Sequence, residues 1–223
     1  LSVIAVSKKG NLLHAPDIYM EKIAIGPGYP KNLVDLDFSV KKNIELLSEA
    51  KSTSPNKLSA CVLNRPRHDK IIDSLKSLGV KINYITDGDV SGVISVTNPK
   101  FNNDIYIGTG GAPEGVLAAA AARCLNGEIL ARLVVSKPED EERCRAMGIS
   151  DLTRVYRARD LASSESIIFA ATGVTEGTLM QGVRFFGDGI RTHSLIMQTQ
   201  PHQVRFIDTI HVRGKSTETF VRF

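Results

Sequence analysis

Apolar residues recur along this chain at two spacings, close to three to four residues in some segments and two in others, and the segments alternate. The run "SVIAV" at 2–6 reads as a short buried strand, and "SKKGN" makes the turn after it. "APDIYMEKIAIGPG" reads as an exposed loop carrying Tyr19 and Lys22 into a strand at Ile23–Ile25. "DFSVKKNIELLSEAK" places Val40, Ile44, Leu46 and Leu47 at helical spacing, with Asp37 or Ser39 as its cap. Next come a strand in "LSACVL", a helix in "PRHDKIIDSLKSLG" ending on Gly79, a strand in "VKINYI" and a short helix in "DVSGVISV". "DIYIG" is the following strand, and "APEGVLAAAAARCLNG" a helix with Gly127 just past its end.

Strands alternating with helices predict an α/β layer with a largely parallel sheet between helices. Past residue 128 the pattern changes. "EILARLVV" reads as a strand, "PEDEERCRAMG" as a charged helix and "SIIFAATGV" as a buried strand. "RTHSLIMQTQPHQVRFIDTIHV" reads as two strands joined at Gln198–His202, a hairpin. There is no internal repeat or low-complexity segment, so the expectation is one continuous domain with an antiparallel C-terminal edge.

Composition narrows the classes of partner. The chain is 42% hydrophobic and 23% charged, the ordinary balance of a globular protein. Its net charge of +4 favours anionic partners, which could be nucleic acid or a small phosphorylated molecule. The basic residues are dispersed and form no like-charge block with interleaved aromatics, which argues against nucleic acid. Cys61, Cys124 and Cys144 are odd in number and widely spaced, the usage of free thiols in a reducing, cytoplasmic compartment. No apolar run reaches the roughly 18 residues of a membrane span, and no secretory signal is visible. The chain opens on Leu1 inside an apolar run, which suggests processing or further sequence upstream.

The polar signals fall after strands, where open α/β sheets bind their ligands. "ACVL" leads into "NRPRHD", "INYI" into "TDGDV" and "IYIG" into "TGGAPEG". If the three strands are parallel, Arg65, Arg67, His68, Asp87, Asp89 and Glu114 gather along one rim. Arg65 and Arg67 flank a proline that stiffens the turn, and two guanidinium forks there suit phosphate oxygens. "DGD" is either a polar turn or a pair of acids for sugar hydroxyls or a hard cation. His68 has no ligand partner at metal spacing and reads as structural, as do "IIFAATG" and "VTEGTLMQG"; Ser163, Ser164 and Ser166 lie in no nucleophile elbow. "GTGGAPEG" lacks the third glycine of a dinucleotide fingerprint and the lysine of a phosphate loop. Glu114 there is either a favourable acid at a helix start or a metal or substrate ligand, beside a glycine run that admits close approach.

The ordered set "APDIYMEK", "NRPRHD", "DGDV", "GGAPEGVLAAAAARCLNGE", "RCRAMGI" and "FAATGVTEGTLMQGVRFF…IRTHSLIM" resembles class II fructose-1,6-bisphosphatase, in particular the dual fructose/sedoheptulose bisphosphatases of cyanobacteria. The resemblance covers nearly the whole chain. It implies the α/β layered sandwich of the lithium-sensitive sugar and inositol phosphatases, with the antiparallel C-terminal hairpin. It also implies Mg²⁺- or Mn²⁺-dependent hydrolysis of a sugar bisphosphate's 1-phosphate, in gluconeogenesis or the Calvin cycle. By the same resemblance Tyr19 contacts substrate, Arg65 and Arg67 hold the distal phosphate, Asp87 and Asp89 bind the sugar, and Gly111 offers its backbone. Glu114 is implied as the metal-ligand carboxylate of this part of the protein and hence as a catalytic residue. A homo-oligomer, dimer or tetramer, is implied too, in the cytoplasm or a plastid stroma.

Two departures accompany it. The family's acidic "GEGE" segment and its "DP-acid-GT" motif do not occur here, so the expected unit is one sugar-phosphatase domain, 1–223, lacking its N-terminal portion. A longer charged insertion usual in the family is also missing between Val135 and Glu141. Several carboxylates are needed to hold catalytic cations. The alternative is therefore a non-catalytic module or subunit that binds sugar phosphates.

Overall fold

The computed structural model describes residues 1–86, 88–98 and 101–212. In chain order the elements are β1 (Ser2–Ser7), β2 (Tyr19–Ile25), α1 (Val40–Ala50), β3 (Ser59–Leu63), α2 (Asp69–Ser77), β4 (Lys81–Ile85), α3 (Asp89–Thr97) and β5 (Ile105–Gly111). There follow α4 (Ala112–Cys124), β6 (Glu128–Val134), α5 (Pro138–Ala146), β7 (Tyr156–Arg157), α6 (Ala158–Leu161), β8 (Ile167–Thr172), β9 (Arg184–Phe186), β10 (Gly189–Thr199) and β11 (His202–Val212). Of the two candidate caps of α1, Ser39 takes the role, accepting from the Lys42 N–H at 3.1 Å. Asp37 instead accepts from Arg132 Nη1 at 2.7 Å.

The strands form two sheets. One is six-stranded in the order β4-β3-β5-β2-β6-β7, and the other joins β1, β8, β10 and β11, with β9 on β10. The expected largely parallel sheet is corrected here: only β3 pairs in parallel, with β4 and β5. β5 and β6 do run the same way, which is why β5–α4–β6 reads as a parallel crossover. Between them lies β2, antiparallel to both and drawn from much earlier in the chain. Local periodicity carries no information about that insertion.

Side-chain alternation on the six-stranded sheet builds two cores, one on each face. Ile23, Ile25, Ala60, Val62, Ile105 and Ile107 face α1 and α2, where Ile44, Leu47, Ile72 and Leu75 meet them. Met20, Ala24, Leu63, Tyr106 and Ala131 face the other way, onto α3 and α4, and beyond those helices lie Phe169, Leu195 and Met197 of the second sheet. The layers thus run helix, sheet, helix, sheet. α4 lies buried between two sheets, and its alanine run explains how. Ala118 to Ala122 are wholly buried, and their small side chains let the helix backbone approach both layers.

The segment at 2–6 departs from its expected burial. β1 is an edge strand pairing β8 alone, and Ile4 and Val6 are 58% and 50% exposed. The C-terminal hairpin forms as expected, with Thr199 opposite His202, although β10 starts earlier, at Gly189. β7 and β9 span two and three residues, too short to show a period. Cys61, Cys124 and Cys144 are free and buried, and desolvation pushes the Cys61 thiol up to about 11, which keeps it unreactive.

Candidate functional site

Because β4, β3 and β5 are parallel, the loops after them do open on one rim. The exit of β3 turns through a short 3₁₀ segment at Pro66–His68 into α2. His68 is completely buried in that turn. Its Nδ1–H donates to the Leu63 carbonyl at 2.9 Å, and Nε2 accepts from the Thr109 N–H at 2.8 Å. With one nitrogen donating and the other accepting, the ring is neutral, and burial holds its pKa below the usual value. Its place is structural: it ties the β3 exit to the end of β5.

Arg67 stands beside this tie. Its Nε donates to the Thr109 carbonyl at 2.8 Å, and its guanidinium lies 5.0 Å from the centre of the Tyr19 ring. Tyr19 opens β2 directly opposite Gly111 and is half exposed. Gly111 precedes α4, and Glu114 lies exposed in the first helical turn, where an acid complements the helix dipole. A Cβ on Gly111 would sit 1.9 Å from Glu114 Oε2, so the carboxylate folds back over that backbone and a larger residue there would push it aside. Arg67, Tyr19, Gly111 and Glu114 therefore meet on one rim. Arg65 lies at the same turn, with Nη1 donating only to the neighbouring Asn64 carbonyl at 3.1 Å. Asp87 lies outside the described residues.

Asp89 is placed differently from its rim neighbours. It is 4% exposed, and both its oxygens are taken. Oδ2 pairs with Lys22 Nζ, and Oδ1 accepts from the Tyr106 hydroxyl at 2.7 Å. Lys22, expected in an exposed loop, is instead wholly buried in the middle of β2, and also donates to the Gly111 carbonyl at 2.9 Å. Burial lowers the Lys22 pKa against the opposing pull of Asp89, and raises that of Tyr106 well above its usual value. A Cβ on Gly110 would fall 1.9 Å from Asp89 Oδ2, so the glycine run is the space this acid needs. Below the rim, then, Lys22, Asp89 and Tyr106 form a buried network that pins the backbone at Gly110–Gly111.

The sequence reading missed Lys22 and Tyr106 as parts of the site. The available signal was period-two alternation: Lys22 shares a strand face with Met20 and Ala24, both buried. Among the described residues no three Asp, Glu, His or Cys side chains gather closely enough to hold a cation. Glu114 is free to supply one ligand, as Mg²⁺ sites using one or two carboxylates beside substrate phosphate require. The Asp89 oxygens are already committed within the protein.

An exposed guanidinium over an aromatic ring, a helix start and a lone carboxylate, at the carboxyl ends of parallel strands, define a mixed α/β protein with a polar rim where such sheets carry their ligand sites. The family described as bacterial fructose-1,6-bisphosphatase, glpX-encoded, matches residues 1–211, and the chain belongs to that family. It is 41% identical over 228 residues to a D-fructose 1,6-bisphosphatase class 2/sedoheptulose 1,7-bisphosphatase of Trichodesmium erythraeum, an alignment covering 97% of this chain and 66% of that protein. Proteins of the same description from Synechocystis and Microcystis aeruginosa are 40% and 41% identical, over 96% and 95% of this chain and 65% of each relative. The chain thus spans a little under two thirds of the length of the relatives it matches. No helix among the described residues is long and apolar enough to cross a membrane.

Proposed function

We propose that the protein hydrolyses the 1-phosphate of fructose 1,6-bisphosphate, and the corresponding phosphate of sedoheptulose 1,7-bisphosphate, with Mg²⁺ or Mn²⁺. The observation that carries this reading is the meeting of Arg67, Tyr19 and Glu114 at the start of α4, in a chain 41% identical to proteins of that description. Arg67 and Arg65 grip the phosphate that does not react, through charge-assisted forks. Tyr19 closes the sugar side of the rim and orients the Arg67 guanidinium. Gly111 presents bare backbone to the substrate and Asp87 binds the sugar, whereas Asp89, expected as a second sugar ligand, is buried with both oxygens held by Lys22 and Tyr106 and instead fixes the backbone beneath the substrate. Glu114 donates one carboxylate to the cation. A bound divalent cation neutralises the phosphoryl oxygens and lowers the pKa of water. In the net reaction a water oxygen bonds to phosphorus, the bond from phosphorus to the sugar oxygen breaks, and that oxygen takes up a proton. Holding the far phosphate spends remote binding energy on aligning the near one.

Phosphate release from fructose 1,6-bisphosphate with Mn²⁺ or Mg²⁺ present tests this. Glu114→Ala should abolish turnover, a loss of roughly a thousandfold or more, while leaving the melting temperature nearly unchanged. Arg67→Ala should raise KM by about tenfold or more with a smaller effect on kcat. Turnover by Glu114→Ala equal to the parent would overturn the assignment. Calorimetric binding of the bisphosphate without turnover would assign a sugar-phosphate-binding module instead.

A further inference from the structure

At the opposite end of α4 a cavity of about 380 Å³ opens between that helix, the start of β6 and α6. It lies away from the rim. Rising roughly 1.5 Å per residue, α4 separates Arg123 from Glu114 by about 14 Å along its axis. Among the described residues the cavity walls carry four cations, Lys31, Arg123, Arg157 and Arg159, and one carboxylate, Glu128. The helix C-terminus adds about half a negative charge and Glu165, beside Arg123 and Arg159, one more, which leaves the space net positive.

The partners of these cations show which of them are committed. Arg123 is 9% exposed and donates to the carbonyls of Ala162 and Ser164, the latter at 3.1 Å, so it is structural. Arg123 and Arg159 also converge on one carboxylate, Glu165, at 3.5 and 2.5 Å, and Arg159 repels Arg123. Arg157 uses one nitrogen on Asn32, while its buried Nη1 makes no hydrogen bond, its nearest acid being Glu128 Oε2 at 3.5 Å. Arg157 Nη1 thus has a distant carboxylate for its charge but no acceptor for its proton, beside a positive cavity of ligand size that leaves room for one. Two guanidinium forks and a lysine offer the donor pattern that phosphate oxygens accept. The amides of Asn32 and Asn126, also in the wall, supply neutral hydrogen bonds for hydroxyls.

We propose that this cavity is a second anion site, separate from the rim, which takes a phosphate monoester on a small hydroxylated carrier. Arg157 and Arg159 hold the phosphate, Lys31 closes over it, and the two asparagines read the carrier. The site stands or falls independently of the reaction proposed for the rim.

Amide chemical shifts of the isotope-labelled chain, titrated with inorganic phosphate and with glycerol 3-phosphate, test this directly. The Arg67→Gln variant serves as background, to silence phosphate binding at the rim. Amides at 126–128 and 157–159 should move with either probe, and Arg157→Gln with Arg159→Gln should weaken that response about tenfold or more. Glycerol 3-phosphate should bind roughly threefold or more tightly than inorganic phosphate; equal affinities would overturn the part of the proposal that concerns the carrier. Amides that stay still at millimolar phosphate, or that respond equally in the double variant, would overturn the site. Should the double variant fail to fold by circular dichroism, Lys31→Gln replaces an exposed residue, and an unchanged affinity there would overturn it as well. Self-association that phosphate disperses would overturn it in favour of an acidic segment of a second copy.

Discussion

At the N-terminal end of α4 the buried cation Lys22 finds its counter-charge within the protein, on Asp89, with Tyr106 and the Gly111 carbonyl completing the network. At the C-terminal end Arg123, Arg157 and Arg159 share Glu128 and Glu165, and one guanidinium nitrogen has no acceptor. The first arrangement is closed. It stiffens the backbone beneath a rim whose exposed groups, Arg67 and Glu114, remain free for a ligand. The second is open, because its own cations are in excess. A buried charge that is fully paired therefore marks support for a site, and a positive surplus around a cavity marks a site itself.

The largest effect is expected at Lys22. Lys22→Met leaves Asp89 buried without its cation, a change that costs about 3–5 kcal/mol. For a chain of this size the melting temperature should then fall by roughly 6–20 °C. Adding Asp89→Leu should recover much of the loss, since a well-packed apolar pair replaces a buried ion pair at little cost. A single variant that melts like the parent would show that the pair does not hold the rim. Arg123→Met should come next, at about 2–3 kcal/mol, because two carbonyls lose their donor; urea unfolding measures it. Gly110→Ala forces a methyl against Asp89 Oδ2 and should cost about 1–3 kcal/mol by the same measurement.

A pH series sharpens the contrast further. Burial keeps the folded-state pKa of His68 below its usual 6.5, so the unfolded chain binds that proton more readily than the folded one. The stability from neutral His68 is complete above 6.5 and is lost as pH falls from there towards the folded value. His68→Gln should flatten this acid limb of a melting-temperature profile, and an unchanged slope would move the effect elsewhere. The smallest effect belongs to Arg159→Gln, whose solvent-screened pairing with Glu165 should contribute almost nothing to stability, as urea unfolding would show. A much larger loss there would make Arg159 structural, like Arg123.

Much of this arrangement was legible in the residues. The helices of 40–50, 89–97 and 112–124 and the C-terminal hairpin follow from spacing, caps and turn residues. The rim was legible too, since three strand exits carrying Arg67, Asp89 and Glu114 converge once their strands are parallel. What escaped was the network under the rim. Lys22 sits in "YMEKIAI", where alternation shows two faces but not that both would be covered. A lysine in a half-polar segment reads as solvated by default. Asp89 escaped as well: its turn sequence suggests exposure, whereas Lys22 of β2 and Tyr106 of β5 draw it inward. The basic cavity was hidden for the same reason, because its cations come from segments far apart in the chain.

Local physics, acting over a few residues, determined the helices and turns, the capping Ser39 and the helix start that sets Glu114 beside Gly111. Those features depend on sterics and hydrogen bonds within a turn or two, so the order of residues specifies them. Tertiary structure alone decided that β2 inserts between β5 and β6. That placement carries Lys22 beneath Gly111 and Tyr19 beside Arg67. It is set by the free energy of covering both faces of one sheet at once, a sum over the whole chain that no local stretch contains.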